Sequence, residues 1–451
     1  KPTQTTKIKF SHFADDKDFQ NYDRYYKLNP DGNLLRYNYG QTNILQLNKS
    51  LNKNSFLTLG FIRYNKLYKH RVYDDWEDYV HSDLNNQETP LYSFSTGGLI
   101  QNIFQRQTIT DVAKFDYTNQ INNIHQLKFG IESKKHSIDY ENYNLQYDSN
   151  ESFDPESDTP FMNPILPNVF DPDTVLYASE YYFHPIESSF YIQDKIELNE
   201  MILNAGIRYD YFDPKGYILS DPEDPVYHNP IKPHHFYDCS NDDGYCGDNE
   251  PEKTDQDRLE YWFTSTNPKS MISPRIGGSF PISDQGVFHF SYGHFFQMPK
   301  FELLYYNVDI DIDIEGSGNL GVIGNADLEP EKTISYEIGV QYKIDNTSAV
   351  DMTMYFRDIR DLTGTKSDVI YIENGSSYDI YTNSDFGYVK GFVLSYKKNL
   401  RNGFSTTLDY TFQQAKGTAS DPFDAHNATI NNQYPEIQFI RLNWDQTHTI
   451  N

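Results

Sequence analysis

Ile334-Ser335-Tyr336-Glu337-Ile338-Gly339-Val340-Gln341-Tyr342-Lys343-Ile344 decides how this chain is read. Successive side chains of an extended strand point to opposite faces. Ile334, Tyr336, Ile338, Val340, Tyr342 and Ile344 therefore form an apolar wall, backed by Ser335, Glu337, Gly339, Gln341 and Lys343. A tight turn follows at Asp345-Asn346-Thr347-Ser348. The alternation then restarts, with Val350, Met352, Met354 and Phe356 set against Asp351, Thr353, Tyr355 and Arg357. About ten residues at roughly 3.3 Å each, tilted about 40°, rise roughly 25 Å, the height of the apolar band of a membrane barrel. Facing then has an energetic consequence. Val340→Arg is expected to cost about 2–4 kcal/mol near a bilayer midplane, and Gln341→Arg little.

The same pattern recurs on either side. Toward the amino terminus it predicts hairpins from Gln41 to Lys49 with Ser55 to Tyr68, and from Thr108 to Tyr117 with Asn123 to Tyr140. Ser189 to Leu198 pairs with Met201 to Phe212, and Met271 to Ile282 with Gly286 to Phe296. Toward the carboxyl terminus, Phe386 to Lys397 turns into Gly403 to Gln414, and a final strand starts at Gln438. Residues 1–40 read as irregular, and 70–104, 141–181, 213–270, 297–332, 360–385 and 417–437 as loops. Connections thus alternate between a few residues and twenty to fifty. Short turns at one end and long loops at the other are the habit of an antiparallel transmembrane β-barrel, whereas both ends of a soluble sandwich meet the same water. Asp194 interrupts an apolar row and is expected near a membrane boundary.

Composition agrees with that architecture. The chain has 451 residues, with Tyr 38 and Phe 30, yet its mean hydropathy is −0.73. A polar average with abundant aromatics suits polar loops and lumen bounded by aromatic girdles. No run of eighteen apolar residues predicts a spanning helix, which leaves spanning strands untouched. A formal net charge of −27 argues against nucleic acid, which needs a basic footprint. The chain opens at Lys1 without a signal sequence and stops at Asn451 inside a strand-like stretch, so it reads as part of a longer protein.

Several stretches resemble the barrel of the TonB-dependent outer-membrane receptors. Asn325-Ala326-Asp327-Leu328-Glu329-Pro330-Glu331 resembles that family's Asn-x-x-Leu-x-Pro-Glu motif and runs into Tyr336-Glu337-Ile338-Gly339. Ser273-Pro274-Arg275-Ile276-Gly277, Ser291-Tyr292-Gly293, Gln297-Met298-Pro299 and Trp444-Asp445-Gln446-Thr447-His448-Thr449 also match, in the expected order. The resemblance implies a partial barrel over residues 1–451, with the family's plug domain outside this chain. It also implies an outer-membrane location and energy-coupled uptake of a scarce nutrient: a siderophore, cobalamin, glycan or peptide. The energy would come from an inner-membrane TonB complex acting through the plug. A passive porin or surface adhesin is the alternative, and a soluble sugar-binding β protein a more distant one. Most motif residues read as architectural: Pro330 suits a strand entrance, and Pro274-Arg275 is expected to set a strand start.

Chemistry-bearing clusters are few. No phosphate loop, nucleophile elbow or His-Glu-x-x-His is present, so no enzyme is expected. Tyr305, Tyr306, Asp309 and Asp311 are candidate ligand contacts, because aromatic faces stack on rings and acids select cations. Cys239 and Cys246 read as a local disulfide if the protein is exported. Counting from Cys239, Asn241, Asp243, Gly244 and Glu250 occupy the third, fifth, sixth and twelfth places of an EF-hand-like loop. A Ca²⁺ ion is therefore a candidate for 239–250, although the first ligand is Cys rather than Asp; no cofactor is required. His228, His234 and His235 crowd one loop, either as surface residues or as metal ligands.

Overall fold

The structure, a computed structural model, describes residues 5–80, 94–147, 164–167, 177–239, 246–306, 319–365, 369–372, 375–399, 403–431 and 438–451. Period-two alternation becomes one antiparallel meander. Its strands are β1 (Thr6–Phe19), β2 (Leu35–Ser50), β3 (Ser55–Arg71), β4 (Asn102–Gln120), β5 (His125–Asn144), β6 (Ile186–Glu197) and β7 (Ile202–Asp213). They continue as β8 (Lys269–Pro281), β9 (Gly286–Gln297), β10 (Glu331–Lys343), β11 (Ser348–Thr365), β12 (Ser377–Asn399), β13 (Ser405–Gly417) and β14 (His448–Ile450). Each pairs with the next in this order. Among the described residues β1 pairs only with β2 and β14 only with β13, so the sheet is open.

Register makes the two faces continuous from strand to strand. Ile338 stands opposite Phe290 and Met354, and Val340 opposite Phe288 and Met352. On the other face Glu337 meets Ser291 and Tyr355, and Gln341 meets Val287 and Asp351. The apolar face is bare: Ile207 is 48 %, Ile338 51 % and Leu408 50 % exposed, whereas Ser335 on the inner face is buried. Water tolerates no contiguous apolar surface of this extent, but hydrocarbon does. No helix among the described residues is long and apolar enough to cross a membrane.

At the short-turn end Asp345 holds the β10–β11 turn. Its carboxylate accepts from Thr347 N and Oγ1 and from Ser348 Oγ, each at 2.6 Å, and these bonds hold its pKa well below the usual carboxylate range. Asp194, in the apolar row of β6, lies at the same end of the sheet and pairs with His125 at 2.7 Å. A hydrogen-bonded partner at the rim accounts for a carboxylate on that face.

Three expectations are corrected. Residues 1–40 are not irregular throughout, since β1 occupies Thr6–Phe19; its alternation is short, with Ile8 and Phe10 on one row, and beyond them Phe13 and Phe19 fall on the other row, with Asp15, Asp16, Lys17 and Asp18 between the two. The 360–385 loop is mostly strand: β11 runs to Thr365 and β12, with 23 residues, begins at Ser377. A tilted strand crosses a bilayer in about 9–11 residues, so β12 projects well beyond it, where alternation is no longer enforced. The strand from Gln438 is broken into Ile440–Arg441 and His448–Ile450. Accordingly the long connections are less uniform than the sequence suggests. The sorting of short turns to one end and longer loops to the other remains.

Candidate binding site beneath the long loops

The buried core of this molecule lies at its long-loop end. Ile138 and Tyr140 at the far end of β5 pack with Tyr181, Phe183, Phe212, Leu304, Tyr305, Ala326, Leu328 and Tyr381. Tyr140 stacks on Tyr181 with centroids 4.5 Å apart, and Phe183 on Tyr305 at 4.2 Å. A second cluster gathers Leu219, Val226, Tyr227, Trp262, Ile323, Ile372 and Tyr378. The indole N–H of Trp262 donates to Pro225 O at 3.2 Å. The helix Asp255–Trp262 that carries this indole starts at a reciprocal cap between Thr254 and Asp257. The outer loops therefore form a packed cap with aromatic cores of its own.

Tight approach explains two glycines in this cap. A Cβ on Gly216 would stand 2.5 Å from Ala326 Cβ, and one on Gly324 would stand 2.6 Å from the amide nitrogen of Tyr306. The short helix Phe301–Tyr305 is pinned from below, where Arg106 of β4 pairs with Glu302 and Phe301 meets the ring of His136 at 5.0 Å. Beneath it lies a cavity of about 400 Å³ lined by Tyr64, Lys66, Tyr68, Arg106, Thr108, Thr110, Ile138, Tyr181, Lys300, Phe301 and Glu302. Glu302 neutralises Arg106 there, which leaves Lys66 and Lys300, with several aromatic rings, to suit an anionic ligand with flat faces. A second hollow, of about 570 Å³, lies against the wall between β6 and β10, where Gly206, Gly277 and Gly293 leave room beside Arg208 and Arg275.

The sequence candidates fall unevenly on this geometry. Tyr305 is corrected: it is fully buried and its hydroxyl donates to Pro214 O, so it packs the cap and offers no accessible ligand face. Burial also raises its pKa far above the ordinary tyrosine value. Tyr306 beside it is 39 % exposed. Asp309 and Asp311 lie outside the described residues, as do Asn241, Asp243 and Gly244 of the calcium loop. Cys239 and Cys246 are bonded, with Cα atoms 5.3 Å apart, and Glu250 N donates to Gly247 O at 2.9 Å. His228 pairs with Asp255 at 3.0 Å, apart from His234 and His235.

The motif residues are woven into the wall and cap. Leu328 is 1 % exposed, and Asn325 Nδ2 donates to Tyr381 O at 2.8 Å. Pro330 stands just before β10, and Glu331 opens it opposite Gln297. Arg275 and Gly293 are cross-strand partners, and the Arg275 guanidinium covers the Phe295 ring at 4.6 Å. Pro274 does not start β8, which begins at Lys269; it marks where β9 joins as second neighbour, since that pairing begins at Arg275. Tyr292, on the apolar face, lies 5.1 Å from Tyr336. Trp444 is exposed, Asp445 pairs with Arg441 at 3.1 Å, and His448 bonds Tyr410 OH at 2.9 Å.

Sequence reasoning did not pick out Asn383. Its Nδ2 donates to the carbonyls of Glu329 and Asp361, both at 2.8 Å, and its Oδ1 accepts from Glu329 N at 2.9 Å. Asp361, where β11 bulges, sits at φ 59°, in the left-handed region that aspartate tolerates better than most side chains. Asn383→Ala should free both segments at a local cost of about 1–3 kcal/mol. Faster amide exchange at 325–331 and 359–363, with the rest of the sheet unchanged, is the expected result.

A family model described as TonB dependent receptor-like, beta-barrel matches residues 2–448. The chain belongs to that family. Its apolar outer face is therefore the face that meets outer-membrane lipid. Solved structures agree on the fold of this receptor barrel. The outer membrane transporter YddB from Escherichia coli is 14 % identical with a TM-score of 0.60, over 97 % of this chain and 50 % of its own. The FrpB iron transporter from Neisseria meningitidis is 14 % identical with a TM-score of 0.54, over 93 % and 52 %. The alcaligin outer membrane receptor FauA from Bordetella pertussis is 13 % identical with a TM-score of 0.51, over 94 % and 52 %. The chain thus spans about half the length of the solved transporters it matches. No curated protein sequence matches it.

Proposed function

We propose that this receptor barrel serves energy-coupled uptake of a scarce nutrient across the outer membrane of a Gram-negative bacterium. The observation that carries the reading is the packed loop cap over a lumen-side cavity. An open passive pore has no use for a mouth built from buried aromatic clusters, whereas a receptor that must capture a dilute ligand has. In this reading the plug domain lies outside residues 1–451 and relays work from an inner-membrane TonB complex, and the barrel itself does no covalent chemistry. Lys66 and Lys300 favour the anionic groups of a ligand; Tyr306 is a proposed aromatic contact, and Asp309 and Asp311 are proposed contacts for any cationic part of it. The 239–250 loop, closed by its disulfide, is a proposed Ca²⁺ site.

The test is uptake by cells that carry the full-length gene. Ferric chelates, cobalamin, oligosaccharides and peptides are offered one at a time at limiting concentration. One of them should enter only when the gene is present and should stop entering when a protonophore collapses the inner-membrane potential. Gene-dependent passage that ignores the protonophore would support a porin instead. A surface adhesin would leave every uptake rate unchanged.

A further inference from the structure

The 213–268 loop carries a cluster that transport does not use. Asp221 opens a turn, and its Oδ1 accepts from Glu223 N at 3.0 Å, which leaves Oδ2 for other partners. Asp224, 1 % exposed, accepts from the amides of Ile231 and Lys232, both at 3.0 Å, and contacts His235 Nδ1 at 2.8 Å. A carboxylate only accepts, so Nδ1 of His235 carries a proton, and in the neutral imidazole the lone pair is then on Nε2. That Nε2 faces Asp221 Oδ2 at 4.0 Å. Two electron-pair donors face each other across a gap that suits a cation. His234, its neighbour on the one-turn helix Pro233–Phe236, brings a third: one donor atom from each of Asp221, His234 and His235 lies within 4.8 Å of the others.

We propose that Asp221, His234 and His235 form a three-ligand site for a borderline divalent transition ion, Zn²⁺ foremost. The ion would tie the 221–224 turn to the helix Pro233–Phe236. Two imidazoles and one carboxylate suit Zn²⁺ and disfavour Ca²⁺, which takes an all-oxygen shell. Asp224 is the outer carboxylate that orients a ligating histidine. Tetrahedral coordination at 2.0–2.1 Å sets donors about 3.4 Å apart, within reach of a rotamer change at the exposed His234. Lys232 Nζ already holds Asp221 Oδ2 at 2.7 Å and Glu223 Oε2 at 3.0 Å. It is a competing cation that must swing onto Glu223 when the ion enters. The site stands on its own donors, whatever the barrel carries.

The experiment is calorimetric titration of ZnCl₂, and separately CaCl₂, into the full-length receptor in detergent after EDTA dialysis. One Zn²⁺ per chain is expected, weakened about tenfold or more by His234→Ala and tightened by Lys232→Ala, which removes the competitor. The second variant separates this site from a loop merely pinned by lysine, which Lys232→Ala would loosen with no gain in zinc affinity. Absence of zinc heat at 100 µM, or zinc affinity unchanged in His234→Ala, overturns the proposal. So does a response confined to calcium. Heat-modifiable gel mobility, retained in each variant, keeps a folding failure from posing as lost binding.

Discussion

At the depth of the bilayer midplane Val340→Arg should cost about 2–4 kcal/mol of folding free energy, and less toward the interface, while Gln341→Arg one residue away should cost little. Val340 lies two residues from Tyr342 and four from Tyr336 along the apolar row, with Phe288 and Met352 as its cross-strand neighbours. A guanidinium there leaves water for hydrocarbon, and its chain must reach past an aromatic girdle to recover hydration. Gln341 faces the polar interior beside Asp351, where an arginine gains a carboxylate partner. Reversible urea unfolding of the full-length receptor in vesicles measures both. Equal losses at the two positions would mean that the faces are wrongly assigned, and the membrane reading would fall with them.

The strands were legible wherever both solvents act on one strand. Between Ile334 and Ile344, or Leu203 and Tyr211, hydrocarbon demands an apolar residue at every second place and the lumen a polar or small one, so the period writes itself into the sequence. Past the membrane boundary that demand lapses. Ser377 to Asp385 is strand, yet its Tyr378 and Tyr381 are held by the cap rather than by an alternating environment, and no period marks them. Thr6–Phe19 fails for the same reason over its far half.

The site was less legible because its parts meet only in space. Lys66, Arg106 and Lys300 come from two strands and a loop, with no spacing that predicts their approach. Asp221 and His234 are separated by a dozen residues, and the carboxylate that orients His235 is a second aspartate in an acid-rich stretch. The histidine crowding was visible, but its membership was not: His228 turns away to Asp255 and Asp221 takes its place. Tyr305 shows the opposite error. An aromatic pair in a loop reads as ligand-facing, and only packing reveals that the first ring is core and the second is surface.

Tyr305→Ala should consequently release the cap without unfolding the barrel. The substitution deletes the stack on Phe183 and the bond to Pro214, and it opens a void beside Leu304, Ala326 and Leu328. Large aromatic truncations in a core cost about 3–5 kcal/mol. None of the sheet's ladder bonds is touched, so the loss should stay in the cap: amide exchange should rise at 214–219, 301–306 and 325–330 and hold steady in β8 to β11. Tyr305→Phe keeps the ring and leaves one carbonyl unpaired, a smaller cost of about 1–3 kcal/mol. The hydroxyl adds a pH signature. Burial, aided by Tyr181 and Asp213, raises its pKa in the folded cap, so its stabilising contribution is complete below the unfolded value near 10 and declines as pH climbs above it. The cap should loosen in alkali before the barrel does, and Tyr305→Phe should blunt that transition. A cap in Tyr305→Ala that exchanges at the wild-type rate would show that the aromatic cluster is not what holds these loops over the lumen.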